Sequence, residues 1–166
     1  NDLLQGGLGA DTIQGGSGDD QIYAAFYGTF SDDAGNQLFG GDGNDMVGGG
    51  TGNDLVQGDA GNDYMWGYDG ADTLIGGLGR DDLFGQSGGD TFVFNVAPGD
   101  SNQNYDSVRD FESGVDTLQL DASVLSGLGT SGNFALDDPR FYSGTNVHEG
   151  HDADDDSADQ ESQHVL

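Results

Sequence analysis

Across residues 6 to 93 an apolar side chain returns with a period of nine, set between two residues of variable polarity and preceded by glycine and aspartate. Ile13, Ile22, Val47, Val56, Met65, Leu74, Leu83 and Phe92 carry the series. One inward apolar residue between two outward neighbours is the alternation of a very short strand, so the last three residues of each unit are expected to be extended. Aligned in this way the units read GGLGADTIQ (6–14), GGSGDDQIY (15–23), GGDGNDMVG (40–48), GGTGNDLVQ (49–57), GDAGNDYMW (58–66), GYDGADTLI (67–75), GGLGRDDLF (76–84) and GQSGGDTFV (85–93). Positions one and four are always glycine, six is always aspartate and eight is always apolar.

One unit is thus a turn followed by a strand. Two units close a coil with two strands and two turns, so equivalent residues stack every 18 positions. The expected fold is all-β, a two-sheet parallel solenoid of nonapeptide repeats. Val47, Met65 and Leu83 form one inward column, and Val56, Leu74 and Phe92 the other. This core is thin. One apolar residue in nine does not offset the ordering of the other eight, which costs roughly 1–2 kcal/mol per backbone residue.

The aspartates supply what the core lacks. Asp2, Asp11 and Asp20, then Asp45, Asp54, Asp63, Asp72, Asp81 and Asp90, fall in two strictly nonameric series. Stacking sets Asp45 beside Asp63 and Asp81, and Asp54 beside Asp72 and Asp90. Neighbouring carboxylates repel unless a proton or a cation lies between them. A hard divalent cation takes six or more oxygens from carboxylates and backbone carbonyls, and glycine allows the turns that aim carbonyls inward. A site missing from the unfolded chain makes metal-binding energy into folding energy, so without its ion the coil is expected to be disordered or molten.

Composition narrows the partners. The 166 residues hold 31 acids against three bases, Arg80, Arg109 and Arg140, for a net charge of -28. Only Glu112, Glu149 and Glu161 are glutamate, and an ordinary acidic surface would mix the two acids more evenly. Such a field repels nucleic acid and anionic membrane. Cysteine is absent, which excludes disulfide stapling and is compatible with export. No apolar run is long enough to span a bilayer, and the N-terminus has no signal-like segment.

The series breaks once, with a step of 25 positions from Asp20 to Asp45. A degenerate unit, SDDAGNQLF (31–39), keeps the phase with Asn36 at the aspartate position and Leu38 at the apolar one, leaving AAFYGTF (24–30) as an insertion. Asn is a neutral oxygen ligand, so sites pairing Asn36 with Asp11 or Asp54 are expected to be weak or empty. Phe26, Tyr27 and Phe30 in the insertion either cover the coil or contact a ligand or partner. Positions seven and nine point outward, which places Met46, Tyr64, Trp66 and Phe84 on one exterior sheet with Tyr68 at its rim. Exposed aromatic rows stack on sugar rings or bury against protein.

After Phe94 the period is lost, and strands are expected at 91–94, 107–111 and 117–120. The repeats followed by DSVRDFESGVDTLQL (106–120) resemble secreted repeats-in-toxin (RTX) proteins, including the C-terminal domains of serralysin-type proteases. That resemblance implies a calcium-loaded parallel β-roll over 1–94, a C-terminal β cap over 95–142 and an acidic loop or tail over 143–166, with export by type I secretion. It implies as calcium ligands the nine aspartates above, Asn36, and carbonyls of the repeat glycines Gly7, Gly9, Gly16, Gly18, Gly41, Gly43, Gly50, Gly52, Gly61, Gly70, Gly79 and Gly88. Asp106, Asp110 and Asp116 either close a terminal site or are solvated loop acids.

Catalytic signatures are missing. There is no HExxH, and His148, Glu149, Gly150 and His151 have the wrong spacing for two histidines on one helical turn. Asp152, Asp154 and Asp156 copy the start of an EF-hand loop, but Ser157 and Gln163 replace its turn glycine and closing glutamate. Tandem repetition argues against reading the glycine phrases as dinucleotide fingerprints. The chain starts inside a repeat, as part of a longer protein would, and any catalytic domain is expected upstream. The leading expectation is a non-enzymatic, calcium-dependent folding and stability module of a secreted or cell-surface bacterial protein. The alternative is an extracellular module for carbohydrate binding, adhesion or self-association, using exposed aromatics on neutral polysaccharide or neighbouring chains.

Overall fold

The computed structural model describes residues 1–25, 34–96, 105–121 and 163–165. Strands follow one another in the order β1 (Leu3–Gln5), β2 (Thr12–Ser17), β3 (Gln21–Tyr23), β4 (Gln37–Asp42), β5 (Met46–Thr51), β6 (Leu55–Ala60), β7 (Tyr64–Asp69), β8 (Thr73–Leu78), β9 (Asp82–Ser87), β10 (Thr91–Phe94), β11 (Asp106–Val108), β12 (Thr117–Leu120) and β13 (Gln163–Val165). Odd and even strands separate into two sheets, β1-β3-β5-β7-β9-β11-β13 and β2-β4-β6-β8-β10-β12. Every pairing is parallel except that of β11 with β13. This is a parallel β-roll, and its register is the 18-residue one: Val47 pairs with Met65 and Met65 with Leu83.

The two inward columns meet in the middle. Ile22, Val47, Met65, Leu83 and Val108 from one sheet, and Leu38, Val56, Leu74 and Phe92 from the other, are all wholly inaccessible to solvent. Leu4, Ile13, Phe94, Phe111 and Leu118 pack around them, half-buried. Leu38 pairs with Ile13 and Val56, so the degenerate unit keeps its place in the stack.

The strands are longer than the alternation predicts. From β4 to β9 each runs six residues, from position seven of one unit through position three of the next. Gly50 and Thr51, for example, pair with Tyr68 and Asp69. Position two lies inside these strands with positive φ, whether it is Gly41 (φ 111) or one of the non-glycines Asp59 (74), Tyr68 (77) and Gln86 (67). A period-two reading stops at such a kink, although the backbone ladder continues through it.

Two boundaries also differ. The ladder extends into the expected insertion, because the Ala24 amide donates to the Gly48 carbonyl and the Ala24 carbonyl accepts from Gly7. Phe26, Tyr27 and Phe30 lie outside the described residues. The strand expected at 107–111 is confined to Asp106–Val108, because the chain bends at Arg109 and Asp110. The segment after the repeats therefore adds to both sheets, β11 beside β9 and β12 beside β10. Beyond residue 142 only Gln163–Val165 is described, as the edge strand β13. The HEGH stretch and Asp152, Asp154 and Asp156 lie outside the described residues.

Candidate metal centre

Each repeat aspartate closes its turn just before a strand, and the stack places it directly over its equivalent in the next coil. The amide of Asp45 donates to Oδ1 of Asp63 (2.8 Å), that of Asp63 to Asp81 (2.8 Å), that of Asp54 to Asp72 (2.8 Å) and that of Asp72 to Asp90 (2.9 Å). The ladder crosses the irregular stretch, with the Asp20 amide donating to Asp45 and the Asp2 amide to Asp20. Asp20, Asp45, Asp63, Asp72, Asp81 and Asp90 are at most 1% exposed and Asp54 is 3% exposed, whereas Asp2, in the first coil, is open to solvent.

Only one oxygen of each carboxylate is used in this ladder. Oδ2 of Asp11, Asp20, Asp45, Asp54, Asp63, Asp72, Asp81 and Asp90 is buried with no hydrogen-bond partner. An unpaired buried carboxylate oxygen is costly, and eight of them at the same repeat position make a chemical pattern rather than a defect. The carboxyls respond accordingly. Burial, reinforced by the charges of stacked neighbours, pushes Asp63 and Asp72 up to about 7, and it raises Asp45, Asp81 and Asp90 above the usual carboxylate range.

Position one explains how room is kept beside Oδ2. A Cβ on Gly40 would lie 2.5 Å from Asp45 Oδ2 and 2.6 Å from the Gly58 carbonyl oxygen of the next coil. On Gly49 it would lie 2.6 Å from Asp54 Oδ2 and 2.9 Å from the Gly67 carbonyl oxygen. Gly6, Gly15, Gly58 and Gly67 face the same oxygen pair in their own coils, and Gly76 and Gly85 face the carboxylates of Asp81 and Asp90. A cradle lined by a carboxylate and a carbonyl suits a hard cation. No three His, Cys, Asp or Glu side chains converge among the described residues, so backbone oxygens must supply much of any coordination shell.

The glycines singled out from the sequence, Gly7, Gly16, Gly41 and Gly50 at position two and Gly9, Gly18, Gly43, Gly52, Gly61, Gly70, Gly79 and Gly88 at position four, all have positive φ. They shape the turns, while position one borders the orphaned oxygens. Its unbroken glycine was the signal for that role. A second ladder was not foreseen: at position five, Asn44 Oδ1 accepts from the Asn62 amide (2.9 Å), Asn62 Oδ1 from Arg80 (3.0 Å) and Asn53 Oδ1 from Ala71 (2.9 Å). These bonds join coils without an ion.

Asn36 departs from the aspartates. Its Oδ1 accepts from the Asp11 amide (2.9 Å), and its Nδ2 donates to the Ala34 carbonyl (2.9 Å) and to Asp54 Oδ1 (3.0 Å). The amide satisfies itself internally. At the other end Asp106 accepts from the Asp81 amide (3.1 Å) and Asp116 from the Asp90 amide (2.9 Å), as the repeat aspartates do. Burial and then the charge of Asp81 push Asp106 up to about 8. Asp110 instead caps the strand above, accepting from the amides of Gly85 and Gln86.

On the exterior, Trp66 stacks between Tyr64 and Phe84, with ring centroids 6.3 and 5.9 Å apart. Tyr64 is exposed and the other two are half-buried. Asp82 ion-pairs with Arg109, and Arg80 lies over the Tyr105 ring (5.2 Å). Among the described residues no helix is long and apolar enough to cross a membrane.

No curated protein and no solved structure matches the chain significantly. The family model of the RTX calcium-binding nonapeptide repeat, itself a non-catalytic repeat, matches in four copies, at residues 1–26, 30–56, 48–83 and 57–92. With the glycine phrases, the stacked aspartates and these matches over more than half of its 166 residues, the chain belongs to the family of RTX calcium-binding nonapeptide repeats.

Proposed function

We propose that the roll is a calcium-dependent folding and stability module of a secreted or cell-surface protein. Its ions would be held between stacked coils by Asp11, Asp20, Asp45, Asp54, Asp63, Asp72, Asp81 and Asp90, with position-one carbonyls such as Gly58 O completing each shell. The observation that carries this reading is the set of eight buried Oδ2 atoms without partners. Calcium bound there supplies positive charge where the fold buries negative charge, and so couples ion binding to folding. At low intracellular calcium the chain stays unfolded, which suits type I secretion, and it folds outside the cell where calcium is abundant. Circular dichroism during calcium titration tests this: β structure should appear cooperatively with calcium and not with magnesium, which keeps its water and demands stricter octahedral geometry. Full β structure in excess chelator at neutral pH would sink the reading.

The stack of Tyr64, Trp66 and Phe84 favours a second role on the same scaffold. Aligned rings on an exterior sheet suit a neutral sugar or a neighbouring chain, while the net charge of -28 opposes anionic polysaccharide. Trp66 fluorescence that stays constant on adding neutral oligosaccharides would count against sugar binding.

A further inference from the structure

The aromatic surface on the exterior of the odd-numbered sheet is wider than the three stacked rings. Position nine crosses that sheet as Tyr23, Gly48, Trp66 and Phe84, each in register with the next. Gly48 has no side chain, yet it is buried. A Cβ there would meet Cε2 of Tyr68 at 3.0 Å and Cδ1 of Tyr23 at 3.1 Å, so those two rings lie against the gap in the row. Aromatic groups thus line the face from β3 to β9.

Tyr68 reaches its place with a left-handed backbone, φ 77, where its partners in register are Gly50 and Gln86. A bulky residue with positive φ is uncommon, and such strain gathers where a ligand is held. The ring is half-buried, and Tyr64 on the same strand is 49% exposed.

Charge selects the occupant. Asp19 in the turn before β3, Asp42 at the end of β4 and Asp69 at the end of β7 are exposed, in a chain of net charge -28. A second copy brings the same charge and is repelled, and a neutral sugar gains nothing from the field. A guanidinium gains from the field and from the negative faces of the rings together. The chain's own arginines follow this preference. Arg109, whose amide donates to the Leu83 carbonyl (3.0 Å), extends the row beyond Phe84 and is held by Asp82 through its Nε (2.7 Å), while Arg80 lies over the Tyr105 ring at 5.2 Å.

Resting on the second role given above to the aromatic stack, we propose that this face binds a basic, arginine-bearing segment of a partner protein, its guanidinium groups laid on Tyr64, Trp66 and Tyr68. The left-handed backbone at Tyr68 is then kept for the ring it presents.

A labelled oligoarginine peptide, titrated into the calcium-loaded full chain at physiological salt, tests the proposal against a lysine peptide of equal charge and a neutral oligosaccharide. Trp66 is the only tryptophan, so a change in its fluorescence places the peptide on this face. Oligoarginine should alter that fluorescence and bind more tightly than the lysine peptide. Tyr64→Ser and Tyr68→Gly should each weaken binding, followed by peptide anisotropy, by roughly twofold to fivefold, the worth of one exposed cation–ring contact. Tyr68→Gly suits the left-handed φ, so it removes the ring without straining the backbone, and circular dichroism should show the roll intact. Gln86→Gly, which changes the same position in the next coil without removing a ring, should bind as the wild type does. Equal affinity in Tyr64→Ser, Tyr68→Gly and wild type would mean that the whole acidic surface attracts the peptide, and would overturn the proposal. A response of Trp66 to the oligosaccharide but not to oligoarginine would give the face to sugar instead, and dimers in sedimentation that Tyr68→Gly disperses would give it to a second copy. With no binding of any kind and no self-association, the second role itself fails.

Discussion

The backbone amide of Asp45 donates to Oδ1 of Asp63 at 2.8 Å, while Oδ2 of that carboxylate stays buried with no partner. Under the calcium reading proposed above, one side chain divides its oxygens between two tasks, holding coil to coil and facing an ion. The division can be separated by substitution. Asp63→Asn keeps an Oδ1 acceptor but loses the charge, so the calcium midpoint should rise with the fold intact at saturating calcium. Asp63→Ala also strands the buried Asp45 amide, which costs about 1–3 kcal/mol more. Urea unfolding of both variants in saturating calcium measures the difference. Equal stability of the two would show that the ladder bond contributes nothing.

Gly40 makes the complementary test, because it borders the cradle without adding a ligand of its own side chain. A Cβ there would intrude between Asp45 Oδ2 and the Gly58 carbonyl oxygen, at 2.5 and 2.6 Å. Gly40→Ala should therefore weaken calcium uptake and lower the melting temperature in calcium. Gly89→Ala is the control, since the nearest atom to a Cβ there is the Val115 carbonyl oxygen at 3.3 Å. If the two variants take up calcium alike in a titration followed by Trp66 fluorescence, the cradle is not where the ion sits.

Acid should act as a partial substitute for calcium. In the folded, metal-free chain burial raises Asp63 and Asp72 to about 7 and Asp106 to about 8, so between the ordinary carboxylate range and those values the folded form binds more protons than the unfolded one. Stability then falls as pH rises: the contribution of these groups is present below about pH 4 and is lost as pH climbs through about 7 and 8. Calcium-free protein brought from pH 8 to pH 5.5 should gain β signal in circular dichroism, while at limiting calcium the same change should release ions because protons compete for the carboxylates. A metal-free sample whose β content falls on this acidification would contradict the assignment of buried carboxyls.

Phase was legible in the sequence because the period is strict. Val47, Met65 and Leu83 had to share a column once their spacing was 18, and Asp45, Asp63 and Asp81 had to share the turn beside it. Leu38 and Asn36 kept that phase through a degenerate unit, and the structure seats both in register. Other features left weaker marks. Strand pairing through Gly50 and Thr51 was hidden because glycine carries no inward or outward side chain to read. The bonds from Asn62 to Asn44 and from Arg80 to Asn62 run through backbone amides, so the donor residue type is free to vary. Asp110 capping Gly85 and Gln86 depends on a bend at the end of β11, which no period announces.

Asn36 offers the sharpest test of ion against hydrogen bond within a single fold. Its Nδ2 donates to Asp54 Oδ1 at 3.0 Å and to the Ala34 carbonyl at 2.9 Å, so at this joint a neutral amide bonds to the next coil, in a column whose other members carry carboxylates. Asn36→Asp removes both donors and sets a carboxylate against those of Asp11 and Asp54. Without calcium the roll should become less stable, because like charges stacked in a buried column repel. With calcium the column gains an oxygen free for an ion, so calorimetry should count one more calcium per chain and melting should depend more steeply on calcium concentration. An unchanged ion count together with lowered stability in both conditions would mean that Asn36 occupies a joint whose backbone does not suit calcium, and the equivalence of the coils would fail at that point.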